Sequence, residues 1–207
     1  MVKMKNLNNF VMMILCMAFV FAGTQSFAAR NTQADTPVDG FIENMGQEAI
    51  SFLGNRNLSM AQKQQKFRAL LDRHFDMDTI GRFSIGSHWK SLSPAQQAEY
   101  QSLFEDLIVS IYSSRFADYH GQEFEVESSQ PTGSSDYMVQ SHIISPDGNI
   151  PIGWHVREKN GEFKIVDVSI EDVSMAITKR SEFASIIQRG GGNTEVLMDH
   201  LRGKQSG

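Results

Sequence analysis

Cysteine is almost missing from this sequence: Cys16 is its single example. It lies inside an apolar run at 10–21 and follows Leu15, where a lipoprotein signal needs a small residue, so no lipidation is expected. The rest of the chain has no thiol, which excludes a disulfide framework, a Cys-based zinc site and a cysteine nucleophile. Positive charge is also scarce, with 19 Lys and Arg against 24 Asp and Glu and a formal charge of −5. That balance argues against nucleic acid as a partner and against standing attachment to an anionic bilayer. Beyond residue 29 no apolar run approaches the roughly 20 residues that cross a membrane. There is no G-x-S-x-G, no glycine-rich phosphate loop after a strand, and no His or carboxylate pair at ligand spacing with a third partner.

What is present begins with a leader. Residues 1–9 carry Lys3 and Lys5 and no acid, 10–21 are apolar, and 23–29 are small, with Ser26 and Ala28 placed as a cleavage signature. The pattern is that of a Sec-type signal peptide cut after Ala28. Twelve apolar residues span only about 18 Å as a helix, short of the ~30 Å hydrocarbon core. Loss of 1–28 removes two lysines and no acid, moving the formal charge from −5 to −7. A secreted chain without disulfides must rest on its core, and the bacterial periplasm is the compartment this suits.

The remaining chain divides into a linker at 29–39, one α+β domain at 40–203 and a loose tail at 204–207. Apolar residues at helical spacing predict helices over 40–53, from Ser59 through Leu71, and over 76–83. Ser93-Pro94-Ala95-Gln96 combines an N-cap, a first-turn proline and a capping-box glutamine. From there one broad apolar face predicts a helix reaching His120, about 39 Å long, with Gly121 as its stop.

After Gly121 the period changes to two. Strands are predicted at 123–127, 137–144, 150–156 and 164–170, separated by Pro131 to Ser135, Pro146-Asp147-Gly148 and Lys159-Asn160-Gly161. These turns are too short for crossovers, so about four antiparallel strands follow one another in a meander. Val166, Val168 and Ile170 alternate as one apolar face, and from Val173 the period lengthens into a helix over 173–189. A triple glycine at 190–192 separates it from a short last helix at 193–201.

His120, His142 and His155 could in principle pair with Asp118, Asp136 or Asp167 for acid–base work. The alternation instead points His142 and His155 away from the apolar face, and His120 marks a helix end. No catalytic and no metal-binding residue is therefore assigned, although two rival classes stand: an enzyme using His142 or His155 on a cone-like sheet, and a purely structural periplasmic adaptor with a fully packed core. A surplus of bulky apolar groups suits a cavity: ten phenylalanines, both tryptophans and six methionines lie after residue 28.

Arg82-Phe83-Ser84-Ile85-Gly86, Trp89, Tyr119-His120-Gly121, the run from Lys164 to Glu171, Val173-Ser174-Met175, Thr178-Lys179-Arg180 and Phe183 together resemble the MlaC family of periplasmic phospholipid-binding, toluene-tolerance auxiliary proteins. The resemblance extends from about residue 40 to 201. It implies a curved meander sheet wrapped by helices around an apolar lipid cavity, in a monomeric carrier with phospholipid as cargo and no cofactor. It also implies shuttling between an outer-membrane lipoprotein complex and an inner-membrane ABC transporter with a substrate-binding ring, in the service of outer-membrane lipid asymmetry. A sister group implies a hopanoid as the alternative cargo. Asp172 stands where the family has glycine, and Phe163 where it has tryptophan. On this reading the helix wall of the cavity is Leu103, Phe104, Leu107, Ile111 and Tyr112. The sheet wall is Val139, Ile152, Trp154, Val166, Val168 and Ile170, and Val173, Met175 and Ile177 form the junction.

Overall fold

The computed structural model describes residues 36–146 and 148–205. The expected signal peptide at 1–28 and most of the linker at 29–39 lie outside them. The first helix, α1 (Pro37–Leu53), opens inside that linker segment. Thr36 caps it through its side chain, and the Asp39 carboxylate accepts from the Thr36 backbone N–H and hydroxyl, both at 2.8 Å. Reciprocal caps of this kind satisfy donors that the first helical turn leaves unpaired.

Helix α2 (Met60–His74) starts from the Ser59–Gln62 capping box, and α3 (Met77–Ile85) from Asp76. Gly86 ends α3 with φ of +64° and leads into a 3-10 turn, Gly86–Ser91. Helix α4 (Pro94–Ser113) begins at the Ser93 capping box as expected, but it stops well before His120. Its end is rich in hydroxyls that bond to the local backbone, Ser113 to the Ser110 carbonyl and Ser114 to the Ile111 carbonyl. Such bonds compete with the helical ladder. A separate 3-10 turn, Phe116–Asp118, then directs Phe116 into the core. At 20 residues α4 is about 30 Å long rather than 39 Å.

The sheet contains β1 (Glu123–Pro131), β2 (Asp136–Ile144), β3 (Ile150–Lys159), β4 (Glu162–Ile170) and β5 (Val173–Ser174), paired antiparallel in that order. The expected meander is therefore present, with a fifth, two-residue strand after Glu171 and Asp172. Pro131, expected in a turn, is the last β1 residue and pairs with Tyr137. Two irregularities interrupt strict alternation. Glu127 is an extra residue in β1, between Val126 and Ser128. Val166 is an extra residue in β4, because Val156 pairs with Ile165 while His155 pairs with Asp167. Bulges of this kind bend a strand and increase its twist, which curves the sheet. Val166 consequently does not continue the row of Val168 and Ile170; Ile165, fully buried, takes the place opposite Val156.

The final helices are α5 (Met175–Arg189) and α6 (Glu195–Gln205), the latter reaching into the segment read as a loose tail. Two apolar cores result. The sheet core joins Val139, Ile152, Trp154, Val156 and Ile165 to Val38, Ile42, Met45 and Phe52 of α1. Gly46 permits this approach, because a Cβ there would lie 2.3 Å from the Phe124 ring. The helical core joins Ile80, Tyr100, Phe104, Phe183, Ile187 and Met198 of α3, α4, α5 and α6. Tyr100 and Phe104 stack at 6.0 Å between ring centroids, and Phe183 meets both edge-on.

Candidate functional site

The two cores are bridged by Phe67 of α2 and by Phe75, each of which packs against both. Phe67 meets Phe116 edge-on at 5.4 Å and Tyr112 at 6.4 Å. Phe75 forms a parallel bridge with Ile165, and the Asp76 N–H donates to the Ile165 carbonyl at 2.9 Å. Several apolar side chains packed on these cores are incompletely covered. Leu107, Tyr112 and Met175 pack on the helical core and Val168 on the sheet core, and all four are only partly buried. Ile170 and Val173, paired across the β4–β5 turn, are partly buried too.

Asp167 organises the place where these elements meet. Its carboxylate accepts from the Ala176 N–H at 3.0 Å, from the Val168 N–H at 2.8 Å and from the Ser174 hydroxyl. Ser174 in turn caps α5 by accepting from the Ile177 N–H at 3.1 Å. One carboxylate thus ties the end of β4 to the start of α5. Burial pushes the Tyr112 hydroxyl's pKa up, and the charge of Asp167 adds to the effect, so the phenol stays neutral.

The turn feeding the junction is strained. Glu171 and Asp172 have φ of +50° and +64°, the left-handed values of a two-residue type I′ hairpin. Glycine or asparagine adopts that conformation at lowest cost, which gives a physical reason for a glycine at position 172.

The fourteen residues named from the sequence do not form one lining. Leu103 and Phe104 are closed inside the helical core, and Val139, Ile152 and Trp154 inside the sheet core. Val166 is buried but belongs to neither. Trp154 donates its indole N–H to the buried Ser141 hydroxyl at 2.8 Å, which satisfies both. Leu107, Tyr112, Val168, Ile170, Val173 and Met175 are each partly buried, while Ile111 and Ile177 are exposed, Ile177 to 58%. The bridging rings Phe67 and Phe75 and the Asp167 node were missed. Phe67 looked like an ordinary helical core position, and Phe75 fell between two predicted helices.

His142 and His155 lie on the sheet face opposite Ser141, Trp154 and Val156, as the alternation predicts. His142 approaches Glu127 at 3.5 Å and His155 approaches Asp136 at 3.8 Å, and Asp136 also accepts from Arg157 at 2.8 Å. Neither histidine faces the sheet core. Among the described residues no cluster of three His, Cys, Asp or Glu side chains has metal-site geometry. A shallow cleft of about 280 Å³ at Thr36, Val38, Tyr137, Glu158 and Phe163 includes none of the fourteen.

The family profile described as MlaC protein matches residues 43–203. The chain belongs to the MlaC family. One MlaC relative, the intermembrane phospholipid transport system binding protein of Haemophilus influenzae, is 26% identical over 185 residues, covering 85% of this chain and 86% of that protein. Toluene tolerance protein ttg2D of Pseudomonas putida is 20% identical over 116 residues, covering 56% of this chain and 54% of its own. The solved structure of a phospholipid-binding protein from Ralstonia solanacearum, in complex with a phospholipid, superposes with a TM-score of 0.71. It is 19% identical and covers 81% of this chain and 96% of that one, and it shows that the two share a fold.

Proposed function

We propose that this MlaC-family chain is a periplasmic phospholipid carrier whose acyl chains enter between the two cores, along the seam of Leu107, Tyr112, Val168, Ile170, Val173 and Met175. The observation carrying this reading is that Phe67 and Phe75 pack against both cores while Leu107, Tyr112, Met175 and Val168 pack on one core or the other without being fully covered. It is supported by family membership and by the phospholipid transport named for the Haemophilus relative. No described helix is long and apolar enough to cross a membrane.

The energetics require such a shelter. Transfer of a methylene out of water yields about 0.8 kcal/mol, so a sixteen-carbon chain forgoes roughly 12 kcal/mol in the aqueous gap. In this reading the cores part along these partly buried residues, leaving Tyr100, Phe104 and Phe183 on one side and Val139 and Trp154 on the other intact. Loss of cargo to water would be slow, so release requires a membrane-bound acceptor. In this reading the donor and acceptor are an outer-membrane lipoprotein complex and an inner-membrane ABC transporter, and the protein performs no catalysis.

Val173→Glu tests the reading. A carboxylate at the junction would be desolvated by an acyl chain, at a cost of several kcal/mol or a forced protonation. Lipids extracted from the purified parent protein should be near stoichiometric by mass spectrometry and largely lost from the variant. A parent free of lipid, or a variant with the same load, would overturn the assignment.

A further inference from the structure

On the far side of the helical layer, Arg82 and Phe83 at the end of α3, Trp89 in the following 3-10 turn, and Ile177 and Arg180 on α5 form a second surface. Phe83 and Ile177 are exposed to 42% and 58%. Each arginine is laid over a ring: the Arg180 guanidinium is 4.9 Å from the Phe83 centroid, and that of Arg82 is 5.1 Å from the Trp89 centroid. Arg180 also spans Gly86, where a Cβ would lie 3.4 Å from its Nε. Both guanidiniums are thus held at the C-terminal end of α3, where the helix dipole favours positive charge.

Neither arginine has a carboxylate within ion-pair distance among the described residues. Arg68 pairs with Glu105 and Asp106, Arg73 with Glu48, Arg115 with Asp118, Arg157 with Asp136, and Arg202 with Glu99, Glu195 and Asp199. Arg56 and Arg189 share the lack of a carboxylate, but among the described residues it is Arg82 and Arg180 that are laid over aromatic rings. In a chain with a formal charge of −5, acids are abundant enough to neutralise surface arginines. Here two are left uncompensated, immobilised on aromatic faces and set beside exposed apolar side chains. Ordering the guanidiniums beforehand lowers the entropy lost when they bind, and Arg with aromatic residues is the composition that dominates protein interfaces.

We infer that this surface docks an acidic protein partner, one that presents Asp or Glu side chains to Arg82 and Arg180 around an apolar contact for Phe83 and Ile177. The inference rests on the carrier reading, since the partner is the membrane-anchored protein with which cargo is exchanged. An anionic bilayer is disfavoured as the occupant by the overall negative charge and by the presence of only two exposed apolar anchors.

The test uses the full mature protein. Binding to native membrane vesicles from the source bacterium is measured by flotation, beside protein-free vesicles of three parts phosphatidylethanolamine to one part phosphatidylglycerol. Phe83→p-benzoylphenylalanine supplies a photocrosslink to the partner. Binding to native vesicles is expected to weaken with salt and to fall about tenfold or more in Arg82→Glu/Arg180→Glu. The crosslinked peptide should come from a membrane protein and carry Asp or Glu at the contact. Arg82→Gln/Arg180→Gln should show a smaller loss with an unchanged melting temperature, separating docking from folding. Equal binding by the charge-reversed protein, equal binding to protein-free vesicles, or a crosslink between two copies of this chain would each overturn the inference. Lipid content is measured on the same preparations. Lipid retained with docking lost leaves the carrier reading intact, whereas a parent without lipid removes that reading and leaves the docking result to stand separately.

Discussion

Replacing Asp172 with glycine should stabilise the fold slightly and leave its lipid load unchanged. Asp172 sits at φ of +64° after Glu171 at +50°. A non-glycine residue in the left-handed region costs roughly 1–2 kcal/mol, with aspartate at the lower end. Glycine removes that strain but adds freedom to the unfolded chain, which costs about 0.4–1 kcal/mol. Asp172 is exposed, so the change leaves no buried group unsatisfied. The two effects nearly cancel, leaving a net gain of about 0–1 kcal/mol, or a rise in Tm of about 0–4 °C for a domain of this size. Asp172→Val is the control, since a β-branched residue should tolerate the same φ poorly and lower Tm by several degrees. Differential scanning calorimetry on both variants decides the matter. A glycine variant that melts more than about 4 °C below the parent, or a valine variant that melts with it, would refute the claim that this turn is held left-handed against its sequence.

Other predictions follow from the cores and the α1–α2 contact. Tyr100→Phe removes a fully buried hydroxyl that donates to the Gly81 carbonyl at 2.9 Å, and should cost about 1–2 kcal/mol in urea unfolding. Phe183→Ala empties the centre of the helical core and should cost about 3–5 kcal/mol by the same measurement. His74 lies against Phe41 and Glu48 of α1, Lys164 of β4 and its neighbour Arg73, with Glu48 at 3.4 Å. Burial is the largest influence and lowers its pKa below 6.5 despite the attraction of Glu48. The unfolded chain therefore takes up the proton first, so this contribution to stability is full above pH about 6.5 and declines as the pH falls below it. His74→Gln should remove that part of the slope in urea midpoints measured from pH 5 to 7.5.

Much of the architecture was legible because it rests on local chemistry. Ser59 with Gln62, Ser93 with Gln96, and Asp76 announce helix starts through caps whose partners are only three residues away. The period-two strands and their short turns specify the meander, and the same alternation correctly turns His142 and His155 away from the core. The errors arise where a nonlocal preference decides. The Ser114 hydroxyl bond to the Ile111 carbonyl weakens the end of α4 locally, but the decisive pull is nonlocal, because Phe116 is buried with Phe52 and Phe67 of other helices. Likewise Ile165 and Val166 are equivalent in a pattern of apolar residues, and only pairing with Val156 and His155 reveals the extra residue in β4. The candidate site was readable as composition but not as geometry. A fully closed Phe104 and a half-covered Leu107 occupy one amphipathic face, and what closes Phe104 is Phe183 of α5, far away in sequence.

The central claim is that acyl chains lie between the two cores. Its most direct test is photocrosslinking with a phosphatidylethanolamine carrying a diazirine near the end of one acyl chain, loaded onto the purified protein and mapped by peptide mass spectrometry. Adducts should concentrate on Leu107, Tyr112, Val168 and Met175 and on the bridging rings Phe67 and Phe75. Adducts confined to the opposite sheet face around Met138 and His142, or to the outer surface of Phe83 and Ile177, would contradict the account.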